Sequence, residues 1–147
     1  ARMVAHAWLD PDFKARMLED VNAAAEEMSI DASTIPILAV ENTKDIHNVI
    51  VCTLCSCYPK YLLGLPPDWY KSRAYRSRLV REPRAVLKEF GTEIPDDVEV
   101  RVHDSTAELR YMILPMRPKG TEDMDEEALA GLVTRDCMIG VTVIDRD

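Results

Sequence analysis

The chain lacks any uninterrupted apolar run of the ~18 residues that a membrane-spanning helix needs, so nothing in it is expected to cross a bilayer. Positive charge is also scarce: 18 Lys and Arg stand against 26 Asp and Glu, a formal net charge of −8. A nucleic-acid partner, whose phosphates favour a basic face, is therefore not expected. The sequence opens Ala1-Arg2-Met3 with no charged-then-apolar leader, so no secretory signal is expected. There is no internal repeat and no low-complexity segment. A disulfide framework is missing too. Of four cysteines, Cys137 stands alone and three fall within six residues, too close together to staple distant segments. A reducing, cytoplasmic setting fits that usage.

What is present is an ordinary globular balance, 47% apolar and 30% charged, over 147 residues, a length that suits one core. Asp10-Pro11 reads as an N-cap with Pro at the first helical position. Phe13, Met17, Val21, Ala24, Ala25 and Met28 then recur at helical spacing, predicting one amphipathic helix to about Met28. Apolar runs at 35–40 and 46–51 predict two strands. The Pro-rich segment from Tyr58 to Pro67 predicts a loop or a few short turns, and 68–80 a helix. Pro83 is expected to start another helix that ends near Gly91. Alternation at 98–102 and 109–114, with polar residues between, predicts a hairpin. A short acidic helix at 125–133 and a last strand at 139–144 complete the reading. The expected fold is α+β, an N-terminal helix followed by a layered α-β-β-α metal-binding domain. The expected division is a helical segment over 1–30 and a catalytic domain over 31–147.

The chemistry concentrates at Cys52-Thr53-Leu54-Cys55-Ser56-Cys57, directly after Val49-Ile50-Val51. Thiolates are soft donors that select zinc, copper(I), iron–sulfur clusters or another transition metal. Structural zinc normally takes a second ligand pair, which this cluster does not have. A [4Fe–4S] cluster wants a further Cys, and Cys137 is 80 residues away. A redox CxxC lacks its βαβ context. Spacing alone thus favours a metal site and leaves structural zinc, redox chemistry and inert buried thiols open.

The flanks carry the reading further. Val-Glu-Asn-Thr at 40–43, His-Asn-Val-Ile-Val at 47–51, the cysteine claw at 52–57 and Tyr-Pro at 58–59 closely resemble the α subunit of nitrile hydratase. So do Leu-Gly-Leu-Pro-Pro at 63–67, Trp-Tyr-Lys-Ser at 69–72, Tyr-Arg-Ser-Arg at 75–78, Val-Arg-Glu-Pro-Arg at 80–84, Glu-Phe-Gly at 89–91, Arg-Tyr at 110–111 and Thr-Arg-Asp at 134–136. Thr53, where iron members usually carry Ser, resembles the cobalt members. The resemblance implies a non-corrin Co(III) centre, with iron less favoured. Its sulfur ligands would be Cys52, Cys55 and Cys57, and its other in-plane ligands the backbone nitrogens of Ser56 and Cys57. It further implies that Cys55 is a sulfinate and Cys57 a sulfenate, that Cys57, Cys55 and Ser56 form the catalytic centre, and that a nitrile is hydrated to its amide. Oxygenation tempers the donation of the thiolates and adds anionic oxygens that accept charge-assisted hydrogen bonds. The nucleophile is either metal-activated hydroxide or the sulfenate oxygen of Cys57.

The same resemblance implies a β-type partner subunit, a cobalt-loading accessory protein, and Arg110 bonding across to the partner. Two departures are visible. Lys60-Tyr61-Leu62 stands where most members carry Trp-Pro-Val, and Ser33-Thr34 where a Gln-Gly pair usually sits. Both are expected to line the mouth of the site, which points to a nitrile larger or more polar than a simple alkyl or aryl one. The toyocamycin nitrile hydratase type, acting on a nucleoside nitrile, is the special case this favours. The γ chain of thiocyanate hydrolase and a metal-binding module without activity are the alternatives. His47 is expected in a hydrogen-bonding role, His6 and His103 at the surface, and Cys137 as a buried small hydrophobe.

Overall fold

The computed structural model describes residues 1–32, 34–53 and 57–144. The chain begins with three short helices, α1 (Arg2–Leu9), α2 (Pro11–Glu19) and α3 (Val21–Glu27). The Asp10 side chain accepts from the Asp12 and Phe13 amides, and Pro11 occupies the first helical position, as the sequence suggests. The single helix expected to Met28 is broken at Asp20. That residue is extended, and its carboxylate caps α3 by accepting from the Ala23 amide. The expected apolar face survives the break. Phe13, Met17, Val21, Ala24 and Ala25 are all buried in the common core.

These helices are tied to the rest of the chain. Trp8 Nε1 donates to the Pro115 carbonyl at 2.9 Å, and Lys14 Nζ meets Glu41 at 2.6 Å. The side chain of Asn22 donates to the Ile35 carbonyl and accepts from the Ile37 amide, stitching α3 to the first strand.

That strand is β1 (Ile37–Glu41), followed by β2 (Ile46–Val51), both close to where the apolar runs place them. After the claw come α4 (Lys60–Leu63), α5 (Asp68–Lys71), α6 (Arg73–Arg81) and α7 (Pro83–Glu89). The expected helix over 68–80 is interrupted at Ser72, which is extended and caps α6 through the Tyr75 amide. The remaining elements are β3 (Glu99–Asp104), β4 (Arg110–Leu114), α8 (Glu126–Ala130) and α9 (Arg135–Ile139).

The strand pairing corrects the hairpin reading. β3 and β4 are not partners. β2 pairs with β3 and β1 with β4, and both ladders are parallel. Alternation marks a strand but says nothing of its neighbour. The segment between β3 and β4 departs at once, because the Ser105 amide donates to Val51 of β2 and the Arg110 amide to Pro36 ahead of β1. A parallel pair needs a long crossover, and α4–α7 fill the one between β2 and β3.

The expected last strand over 139–144 is also absent among the described residues. Ile139 ends α9, and Gly140 closes that helix in the left-handed conformation at φ +101°. Ile139 and Val141 are buried without joining a ladder, while Val143 is exposed. A Cβ at Gly140 would lie 2.2 Å from the Asn48 carbonyl oxygen and 2.7 Å from the Val49 Cα. The core therefore closes around β2, whose residues from His47 to Val51 are all buried.

Candidate metal centre

β2 carries the chain straight into the claw. Cys52 follows its last residue and has no solvent exposure, and Cys57 is 7% exposed. Cys55 and Ser56, together with Leu54, lie outside the described residues, as does Ser33. The expected ligand set is thus placed at its two ends, and its middle is not described.

Those ends are held by neighbours from α5, α6 and β3 and by Ser105 just beyond β3. Tyr75 of α6 donates its hydroxyl to the Ile50 carbonyl at 2.7 Å, and the Ser105 amide donates to Val51 at the same distance. Asp104, the last residue of β3, accepts from both the Thr53 amide (2.9 Å) and the Thr53 hydroxyl (2.6 Å). Register explains this contact: Val51 and Asp104 are partners in the ladder, so the carboxylate arrives where the chain leaves the strand. Beyond the claw, Tyr70 donates to the Cys57 carbonyl at 2.7 Å.

Burial pushes the Tyr70 phenol far above the ordinary tyrosine value, with Cys52 adding to the rise and a hydrogen bond with Ser105 opposing it. Tyr70 is accordingly a fixed donor. The ring of Tyr58 lies edge-on to that of Tyr70, with centroids 5.0 Å apart. Its hydroxyl is buried with no hydrogen-bond partner among the described residues, and burial raises its pKa as well.

Sequence reasoning placed neither Asp104 nor the two tyrosines at the claw. Asp104 had a signal of sorts, as the polar end of an alternating strand. Arg110, expected to reach a partner subunit, here bonds within the chain. Its Nη1 donates to the Tyr58 carbonyl at 2.9 Å and its Nε to Thr106 at 3.1 Å.

His47 is buried and committed. Its Nε2–H donates to the Gly140 carbonyl at 2.6 Å, and its Nδ1 faces the Asn42 amide at 3.5 Å. Burial lowers its pKa. The hydrogen-bonding role expected of His47 is the one it has. His103, expected at the surface, is half-buried and bonds to Asn48 Oδ1 at 2.8 Å, while Cys137 is buried as expected. His6 pairs with Glu126 of α8.

Among the described residues no group of three or more His, Cys, Asp or Glu is arranged for a metal, and Cys55 is not among them. The donor set nonetheless fits a soft-ligand transition metal. Two buried thiols arrive at the ends of one hexapeptide whose flanking backbone is pinned on both sides.

The family model of the nitrile hydratase alpha chain matches residues 1–142. The low-molecular weight cobalt-containing nitrile hydratase subunit alpha of Rhodococcus rhodochrous is 56% identical over 144 residues, covering 97% of this chain and 70% of that one. An iron-type nitrile hydratase double mutant from Comamonas testosteroni Ni1 has a similar structure, with TM-score 0.94 at 48% identity, covering 97% of this chain and 70% of that one. A recombinant thiocyanate hydrolase with partially modified cobalt centres superposes with TM-score 0.93 at 44% identity, over 98% of this chain and 72% of that one.

Proposed function

This chain belongs to the nitrile hydratase α-chain family, and from that premise we propose that it is the metal-bearing subunit of a cobalt nitrile hydratase, converting a nitrile to its amide. The observation that carries the reading is the pinned claw, with Cys52 and Cys57 buried at its two ends. The proposed ligands are the sulfurs of Cys52, Cys55 and Cys57 and the backbone nitrogens of Ser56 and Cys57, with Cys55 as sulfinate and Cys57 as sulfenate. The proposed domain spans 31–147 as a layered α-β-β-α unit behind the helical segment 1–30. A bound trivalent cobalt ion supplies Lewis acidity that makes a nitrile carbon electrophilic.

The chain's own residues set the stage for that chemistry. Asp104 fixes the amide and hydroxyl of Thr53, so the turn leaves β2 in one direction. Tyr70 fixes the Cys57 carbonyl, so the same peptide that presents the last sulfur cannot rotate freely. The aromatic cluster of Tyr58, Tyr70, Tyr75 and Trp69 keeps water away from one flank of the claw. A β-type subunit is the proposed partner, with Arg110 near the contact, and an accessory protein loads the cobalt.

The departures at Lys60-Tyr61-Leu62 and Ser33-Thr34 favour a substrate larger or more polar than a simple nitrile, a nucleoside nitrile of the toyocamycin type being the special case. The test is to produce the chain with its β-type partner and cobalt, then assay small nitriles, a nucleoside nitrile and thiocyanate. Amide formation, with cobalt by elemental analysis and oxygen added to the cysteines by intact mass, is the expected outcome. Carbonyl sulfide and ammonia from thiocyanate without any amide would move the chain to the thiocyanate hydrolase reading. Labile zinc on unoxidised cysteines would make it a metal-binding module instead.

A further inference from the structure

A cavity of about 230 Å³ opens beside Tyr58, the residue directly after Cys57. Its lining combines the apolar Ile35 and Ile37 with Tyr58, Tyr61, Lys60 and Arg110. Sites that enclose a whole ligand run to ~300–1,000 Å³, so this one is sized for a single substituent. Its charge is unusual for so acidic a chain. Two cations line it, and no carboxylate is among its described lining residues.

Other grooves of the molecule differ. The one that Lys14 lines contains Glu41, with which it pairs, and the one that Lys88 lines contains Glu93, 3.9 Å from its ammonium group. In the Tyr58 cavity, the guanidinium of Arg110 donates to the neutral carbonyls of Thr106 and Tyr58 and forms no ion pair with a described residue. Lys60 forms no ion pair with a described residue. Its ammonium lies 5.7 Å from the centroid of the exposed Tyr61 ring, a weak contact that an oxygen acceptor readily replaces.

We infer that this cavity receives the far end of the substrate, and that the substrate is a nitrile whose tail carries oxygen acceptors, with Lys60 as the residue that recognises them. The inference rests on the nitrile hydratase reading and specifies the substrate class of that same site. The apolar walls take the carbons between the reacting group and the tail. The positive charge favours a carboxylate or phosphate most, and sugar hydroxyls next. A plain alkyl nitrile fills the walls without engaging the ammonium.

The experiment compares the cobalt-loaded complex with its Lys60→Met and Lys60→Arg variants on three matched nitriles, with an alkyl, an ω-carboxylate and a nucleoside tail. The quantity read is the ratio of KM for a tailed substrate to KM for the alkyl one. Lys60→Met is expected to raise that ratio about tenfold for the carboxylate, with a smaller rise for the nucleoside, and Lys60→Arg to restore it. Calorimetric binding of the product amide of the ω-carboxylate should weaken in parallel, which gives a readout independent of turnover. An unchanged KM ratio in Lys60→Met, with the nitriles still hydrated, would overturn the inference and leave the nitrile hydratase reading standing. A wild-type complex that hydrates no nitrile at all would remove both.

Discussion

At the far end of β2, Tyr75 and the Ser105 amide donate to the carbonyls of Ile50 and Val51, and beyond the claw Tyr70 donates to that of Cys57. At the near end the bonds run chiefly between side chains. Asn42 Oδ1 accepts from both the amide and the side chain of Asn48, Asn48 accepts from His103, and His47 bridges Asn42 to Gly140. The near end is a polar network that satisfies itself, the state in which buried amides and imidazoles are stable. The far end fixes the main chain with groups other than the cysteines. The contrast teaches that a buried His beside an Asn pair serves structure here, whereas the buried thiols with tethered backbone lie where the metal centre is proposed.

The sharpest way to break this contrast is Cys57→Ala, for which hydration by the cobalt-loaded complex is expected to fall to background. A variant that retains cobalt by elemental analysis and wild-type amide production would end the assignment of the far end. Gly140→Ala should damage the near end severely. The added Cβ meets the backbone of Asn48 and Val49 and forces an alanine into φ +101°, a combination expected to cost about 3–5 kcal/mol. A urea midpoint close to wild type would contradict it.

The two edge-on phenols, Tyr58 and Tyr70, separate the roles of nearly identical groups. Tyr70→Phe leaves the buried Cys57 carbonyl without its donor and should cost about 1–3 kcal/mol, together with faster cobalt loss to chelator. Tyr58→Phe deletes a buried hydroxyl that has no partner among the described residues, and should be neutral or stabilising by up to about 1 kcal/mol. Equal destabilisation by the two would show that packing, rather than the single hydrogen bond, holds the claw.

The smallest expected effect is on pH. Burial lowers the pKa of His47 and of His103 below the ordinary 6.5, so the unfolded chain takes up protons first as pH falls. Their contribution to stability is full above 6.5 and declines below it, toward the lowered folded-state values. The urea midpoint should drop over that window, and less steeply in His47→Gln. A profile as steep in the variant as in wild type would remove His47 from the acid response.

Much of the far end was legible because its signals are local. The β-branched run to Val51 marked the strand, and the cysteine spacing marked the claw. The strand partners were not legible, since alternation at 98–102 and 109–114 fits a hairpin as well as two separate parallel ladders. Ile139 to Ile144 misled for a related reason. A short apolar run looks alike in a strand and in the end of a helix with its exit. Asp20 carried the same capping chemistry as Asp10, yet the apolar period runs through it unbroken and hides the interruption. Asp104 and Tyr70 reach the claw only through the fold.

Gly140 has one more consequence, for alignment rather than for energy. The bare α-carbon makes a notch that admits the backbone of Asn48 and Val49, so β2 is indexed at that point as a key is by its ward. Sliding the strand by a single residue would turn every side chain to the opposite face and carry the thiols out of place. A residue with no side chain thereby indexes the strand that delivers Cys52 and, beyond it, Cys57, four and nine residues after Asn48.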